Sequence, residues 1–414
     1  MRVAVLGAGV IGVATAYELW RDGHEVTVVD RAPEPACGTS FANAGMIAPG
    51  HAYAWSSPGA LRTLARALLR DDLALRFRFQ ADPRFWSWCW RFYRQCTPER
   101  AAANTRRKVA LCRYSQERLH AVVADTGVAY GARAGGALYL YRDPAGLAQA
   151  AAKAQILRDE GVEVRALTPD EAAAIDPVYE PVRDRFAGAL YAPGDESGDA
   201  RLFTLALAEW LRARGVAFRF GEAVTAIARG GDRVVAVTTD RGPLAADAFV
   251  LALGCWSAGF GKALGLDLPV YPIKGYSVTL PIEGRNNPPT LSGVDEDNLF
   301  AFANYGDRVR MTAIAEFAGW DTSHRPADFA PMLKAAKELF PSAGNYDRPS
   351  YWAGLRPMTP DNLPIFGRGR LANLWVNTGH GHMGWTWACG SARITADLVA
   401  GRTPGHEVGS MLAR

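Results

Sequence analysis

No stretch of this 414-residue chain approaches the about 18 consecutive apolar residues of a membrane-spanning helix, so an integral membrane protein is not expected. Charge of one sign is scarce as well. Lys and Arg number 46 against 42 Asp and Glu, and the resulting +4 is too small for a surface built to hold nucleic acid. The cysteines Cys37, Cys89, Cys96, Cys112, Cys255 and Cys389 form no CxxC pair and no spacing with histidine. That pattern argues against a zinc site or a disulfide framework, and no metal is expected. The first apolar run is broken by glycines, continues into Tyr17-Glu18-Leu19 and lacks a small-residue cleavage site. It reads as an unprocessed start, and the chain as cytoplasmic. Repeats, low-complexity tracts, paired carboxylates and nucleophile–histidine constellations are missing too. What remains, 49% hydrophobic and 21% charged, is enough core for about two domains.

The first thirty residues carry the clearest signal. Arg2 to Leu6 is a short apolar strand, followed at once by Gly7-Ala8-Gly9-Val10-Ile11-Gly12, a helical stretch from Val13 to Arg21, and a β-branched strand from Glu25 to Val29. In such a unit Gly7 permits the tight turn, Gly9 lets the backbone approach a pyrophosphate, and Gly12 lets helix and strand pack closely. The helix N-terminus presents unpaired N–H groups to the phosphates. Asp30, eighteen positions after Gly12, is placed to accept hydrogen bonds from ribose hydroxyls.

Further along, Cys37 to Met46 is rich in small and hydroxylic residues and suits a loop under a flat cofactor. Arginines interleaved with leucines from Ala60 lead to Phe85-Trp86-Ser87-Trp88-Cys89-Trp90-Arg91-Phe92-Tyr93, expected as a helix either buried all round or set against a partner or membrane. Asp199 is the expected N-cap of a helix from Leu202 to Arg214 that buries Leu202, Leu205, Ala206 and Trp210. Val224 to Arg229 pairs with Arg233 to Thr238, and Asp247 to Gly254 reads as a strand covered on both faces. Tyr271 to Leu280, Leu299 to Ala303 and Arg308 to Ile314 read as a meander in a separate sheet. Near the end, Leu374 to Asn377 runs through a glycine-rich turn into a helix from Thr386, a second helix N-terminus suited to an anionic group.

The segments MRVAVLGAGVIGVATAYEL, TSFANAGMIAPGHAYAWSSPG, DESGDARLFT, YPIKGYS, GLRPMTPDNLPIFG and NTGHGHMGWTWACGS, in this order, span the chain. Together they resemble the FAD-dependent D-amino-acid oxidase superfamily, and within it the bacterial D-amino acid dehydrogenases (the small, flavin-bearing subunit). Phe41, Trp387 and the pair Gly381-His382 depart from that pattern. The resemblance implies an α/β fold: a Rossmann-like FAD-binding domain from 1–50, 190–260 and 350–414, and a discontinuous substrate domain on a mixed or antiparallel sheet from 51–189 and 261–349. It implies noncovalent FAD, held at the pyrophosphate by Gly7, Gly9, Val10, Ile11 and Gly12 and at the ribose by Asp30. Arg31 and Ser40 would lie beside the phosphates, and Asn43, Gly45 and Met46 near the isoalloxazine. Val224 would bracket the adenine side through its backbone, and Gly254 would close the second cofactor strand. Gly379, His380, Gly381, His382, Met383, Gly384, Trp385 and Thr386 would offer backbone N–H groups to the flavin pyrimidine edge, where negative charge gathers on reduction.

Arg356 matches the arginine that pairs with the amino acid carboxylate, a task suited to the planar two-pronged guanidinium. Tyr53, Tyr271 and Tyr276 are weaker candidates for touching carboxylate or amine, since tyrosines also serve as core anchors. The implied activity is oxidation of D-amino acids to 2-oxo acids and ammonia, with hydride passing from Cα to flavin N5 and electrons to a quinone-type acceptor. Arg76 to Arg94 is the candidate docking face on the inner surface of the cytoplasmic membrane. Four alternatives stay open: a D-proline or D-hydroxyproline dehydrogenase, an oxygen-using oxidase, a nicotinamide-dependent dehydrogenase, and a silent flavin-binding subunit. Oligomeric state is not legible.

Overall fold

The computed structural model describes residues 1–60 and 75–413. The arginine- and leucine-rich stretch at 61–74 lies outside the described residues. The chain begins with β1 (Arg2–Leu6), α1 (Val10–Arg21) and β2 (Glu25–Asp30), then passes through β3 (Leu75–Phe77) to two helices, α2 (Pro83–Gln95) and α3 (Pro98–Thr126). Strands β4 (Ala137–Tyr141) and β5 (Gly188–Ala192) precede α4 (Ala200–Arg212), β6 (Ala217–Phe220) and β7 (Ala248–Leu251). A run of strands follows: β8 (Tyr271–Pro281), β9 (Ser292–Asp295), β10 (Phe300–Asn304), β11 (Arg308–Phe317) and β12 (Ser350–Met358). Last come β13 (Ile365–Gly367), β14 (Leu374–Thr378) and the helix α5 (Gly384–Val399).

One sheet has the order β13-β14-β7-β1-β2-β6, parallel except for the edge strand β13. Its strands lack polar alternation because both faces are covered. Val3 and Val5 join α1, α4 and α5 in one core cluster. Ala4 and Leu6 face the other way, against Ile227, Val237 and Leu244 from the small three-stranded sheet spanning 224–244.

The second, nine-stranded sheet runs β12-β8-β11-β10-β9-β4-β5 and ends in the strand Arg165–Leu167, with β3 pairing onto β11. The three strands expected as a meander share this sheet, but in another order. β8 pairs with β11 rather than β10, because β9, β10 and β11 form consecutive hairpins and β8 returns on the far side. β12 also belongs here, in register with β8 from Tyr271↔Met358 to Thr279↔Ser350. Buried amides must be paired, and β8 supplies the partners for β12.

Two helix expectations also change. Asp199 does cap α4, its Oδ1 accepting from the N–H groups of Arg201 and Leu202, but the helix starts at Ala200. Its buried face is Phe203, Leu207 and Leu211, and Leu202 is 41% exposed. The expected stripe was one position out, because the ring of Phe203 is the one that meets Tyr130 and Trp385. The aromatic helix α2 is amphipathic rather than buried all round. Phe85 and Trp88 pack on Tyr271 and Phe317, whereas Trp86, Trp90 and Tyr93 are 52%, 61% and 55% exposed. Among the described residues no helix is long and apolar enough to cross a membrane.

Candidate active site

A cavity of about 1750 Å³ runs from the glycine turn after β1, between the two sheets, to α2, where its lining includes Trp88 and the more exposed Trp86, Trp90 and Tyr93. It exceeds the roughly 300–1,000 Å³ of a small-molecule pocket, leaving room for a long cofactor and a substrate together.

At one end the main chain does the work. Gly7 has φ +112°, and a Cβ there would lie 2.5 Å from Ala252 O; a Cβ on Gly12 would lie 1.9 Å from Gly7 O. Only glycine fits at either position, so turn, helix and strand are locked together. Gly7, Gly9, Val10 and Ile11 line the cavity, while Gly12 sits behind them. Asp30 lines it too, with its carboxylate accepting from Ala8 N–H at 2.7 Å and Ala32 N–H at 2.8 Å. This residue therefore also closes the glycine turn, a task the sequence did not reveal. Ser40 Oγ accepts from Val10 N–H at 3.0 Å, and the Arg31 guanidinium lies 4.0 Å over the Trp256 ring. Val224 and Gly254 complete this end, the latter held by Thr378 Oγ1, which donates to its carbonyl.

In the middle, the loop after β2 meets the start of α5. Asn43 Oδ1 accepts from Gly45 N–H, and Thr386 Oγ1 donates to Met46 O at 3.2 Å. Asn43, Gly45 and Met46 thus face the turn at Gly381–Met383 and the first residues of α5 across the cavity. Residues 380–386 all line it; Gly379 does not. His380 is buried, bonded to Ser391 Oγ, and pushed by that burial down to about 3, so it is neutral.

The far end holds the charge. Arg356, on β12, lies flat on Gly275 of β8, where a Cβ would fall 2.5 Å from its guanidinium carbon. Its Nη1 donates to Ile314 O at 2.9 Å. That carbonyl is turned inward by a bulge: Lys274 pairs with Glu316 but Tyr276 with Ala313, and Ile314 takes φ +63°. Among the described residues no carboxylate pairs with Arg356, and burial alone lowers it to about 10. An enclosed guanidinium with one neutral partner has donors to spare for an acid.

The tyrosines divide. Tyr53 lines the cavity with its hydroxyl buried and unpartnered. Tyr276 also lines it, but its hydroxyl donates to Glu316. Tyr271 is not in the lining; it is a core anchor among Phe85, Trp88 and Phe317. Several lining groups had no sequence signal as site residues. Trp55 stacks on His382 at 4.3 Å, and Asn362 Oδ1 pins that loop by accepting from Trp55 N–H and Ser56 N–H. Glu296 pairs with His51 at 2.6 Å.

The profile described as FAD dependent oxidoreductase (DAO) matches residues 2–398, and the chain belongs to this family. It is therefore an FAD-dependent oxidoreductase. Among similar proteins, D-amino acid dehydrogenase 2 of Mesorhizobium japonicum is 45% identical, covering 98% of this chain and 97% of its own length. D-amino acid dehydrogenase of Paramagnetospirillum magneticum is 43% identical over 97% and 96%. Of solved structures, glycine oxidase from Geobacillus kaustophilus superposes with a TM-score of 0.74 at 24% identity, covering 99% of this chain and 98% of that one. L-proline dehydrogenase from P. horikoshii gives 0.72 at 17%, covering 97% and 94%. These two likenesses concern the fold.

Proposed function

We propose that the chain oxidises D-amino acids to 2-oxo acids and ammonia and delivers the electrons to a quinone-type acceptor. The overall balance is one amino acid, one water and one oxidised acceptor giving one 2-oxo acid, one ammonia and one reduced acceptor. FAD, held by Gly7, Gly9, Asp30 and residues 380–386, would supply the hydride-accepting, two-electron chemistry at the substrate Cα. The observation that carries the reading is Arg356, a partly buried cation in the wall of a cofactor-sized cavity, with no carboxylate partner among the described residues. Two parallel hydrogen bonds from its fork would hold the substrate carboxylate and fix which face of Cα is presented. Tyr53 would meet the amine or carboxylate through its free hydroxyl. Trp55, His382 and the α2 aromatics would exclude water from the reacting carbon.

On this reading, the segments of the parallel sheet form the cofactor unit and those of the nine-stranded sheet the substrate unit. Gly7, Gly9 and Asp30 hold the adenosine diphosphate part, and residues 380–386 the pyrimidine edge. The exposed aromatics of α2, with Arg84 and Arg94, are the surface that meets a membrane carrying the acceptor. The relatives named D-amino acid dehydrogenase support the substrate class.

The test is anaerobic bleaching of the flavin spectrum by D- and L-amino acids, D-proline and D-hydroxyproline included. Reduction by D-enantiomers with no stoichiometric peroxide in air supports the reading. Reduction only by the cyclic amines moves the substrate to D-proline, peroxide makes the protein an oxidase, and no reduction by any member refutes the proposal.

A further inference from the structure

Lys108 is a charge the proposed chemistry does not use. It sits within α3, fully buried, with no carboxylate partner among the described residues. Its Nζ donates to Tyr53 O at 2.6 Å and lies 3.4 Å from His382 Nε2. The other nitrogen of that ring, Nδ1, is buried and has no partner. His382 lines the same cavity as Arg356, and its ring is held by the parallel stack on Trp55. Burial, and then the charges of Lys108, Arg356 and His51, keep it well below the usual histidine range, so the imidazole is neutral. A neutral imidazole has one donor and one acceptor. With Lys108 donating to Nε2, the proton belongs on Nδ1, leaving a buried N–H with nothing to receive it. Such a donor is costly unless a ligand accepts it. Lys108 and Arg356, neither with a carboxylate partner among the described residues, both place positive charge near this ring, so the acceptor its Nδ1–H awaits is an anion.

We infer that His382 is a second anchor for the substrate carboxylate, its Nδ1–H donating to the acid held by Arg356, with Lys108 as the positioning residue that sets its tautomer. The inference rests on the reading of Arg356 given above. It assigns a role to the His382 side chain that is separate from any contact its backbone makes with FAD. The anchor depends on Lys108 being charged. Burial, helped by repulsion from Lys153, pushes Lys108 down to about 7 against an attraction from Cys112. Above that pH Lys108 no longer imposes the tautomer and the local positive charge falls, so acid binding weakens.

The experiment titrates the FAD-loaded protein with propionate, following the perturbation of the flavin absorbance, which reports equilibrium binding without turnover. His382→Phe keeps the stack on Trp55 and removes Nδ1; it is expected to weaken propionate about tenfold to a hundredfold, the worth of a hydrogen bond to a charged group. His382→Asn returns an N–H near the place of Nδ1 and should recover most of the loss. In the unaltered protein affinity should fall as pH rises from 6 to 9, and in Lys108→Met that fall should disappear. Unchanged affinity in His382→Phe overturns the inference, whether or not Lys108→Met folds. Arg356→Met separates the two claims. If it also binds propionate normally, the carboxylate-anchor reading of Arg356 fails; if it alone loses binding, only the role of His382 falls.

Discussion

Arg356 holds its charge against the plane of Gly275, and that contact makes two substitutions informative. Arg356→Lys keeps the charge but replaces the fork by a point, and KM for the amino acid should rise by about one to two orders of magnitude with FAD still bound. Gly275→Ala leaves every polar group in place, yet its Cβ would fall 2.5 Å from the guanidinium carbon. Steady-state kinetics should show the same rise in KM, caused by displacement alone. A normal KM in both variants removes Arg356 from the site. A second residue, Asp195, bears on stability. It accepts from Gly50 N–H at 2.8 Å and from Tyr139 Oη, and burial raises it to about 7. Its folded value lies above the unfolded one, so its contribution is complete below about pH 4 and is lost as pH climbs through 7. Thermal midpoints measured from pH 5 to 8 should fall more steeply in the parent than in Asp195→Asn, which carries no such ionisation. Parallel curves would show that Asp195 stays charged. Asp30, Arg356 and the glycine turn were legible because each belongs to a fixed local pattern. Lys108 and Glu296 were not, since a lysine inside a helix and a glutamate after a strand acquire meaning only from partners 274 and 245 positions away.

At the scale of elements, α2 has two faces with different consequences. Phe85 lies in a cluster with Tyr271 and Phe317, and Phe85→Ala should cost about 3–5 kcal/mol in denaturant unfolding. Trp86, Trp90 and Tyr93 are on the open face. Replacing all three by Ser should lower binding to vesicles of anionic lipid about tenfold in a sedimentation assay, with each change moving stability by only about 0.5 kcal/mol. Equal vesicle binding by the parent and the triple variant would remove α2 as a membrane surface. The aromatic run marked this helix in the sequence, but seven aromatic or sulfur side chains in nine positions offer no single stripe. Which of them face inward was decided by Tyr271 and Phe317, brought over by the second sheet. The pairing of β8 with β11 and β12 was equally hidden: alternation says that a strand exists, not which neighbour it takes.

For the whole molecule, the cavity between the sheets ties stability to the cofactor. On the proposed placement of FAD in that cavity, its binding groups converge only in the folded chain, so free FAD at a hundredfold excess over Kd should add about 2.7 kcal/mol to unfolding. The melting midpoint of cofactor-stripped protein should rise steadily with added FAD, and a midpoint indifferent to FAD would contradict this. Cys37 and Cys89 line the cavity, so covalent attachment is directly testable. Acid precipitation should leave the yellow colour in the supernatant; colour in the pellet would mean a covalent bond. The amino-acid sequence by itself determined the dinucleotide-binding turn, the family and the arginine suited to an acid, because each is written in residues that are neighbours along the chain. Only the tertiary structure decided that Tyr271 is a core anchor, that Tyr276 is occupied by Glu316, and that Lys108 stands behind His382. Burial and long-range pairing, not residue type, settle which polar groups are satisfied inside the protein and which are left for a ligand.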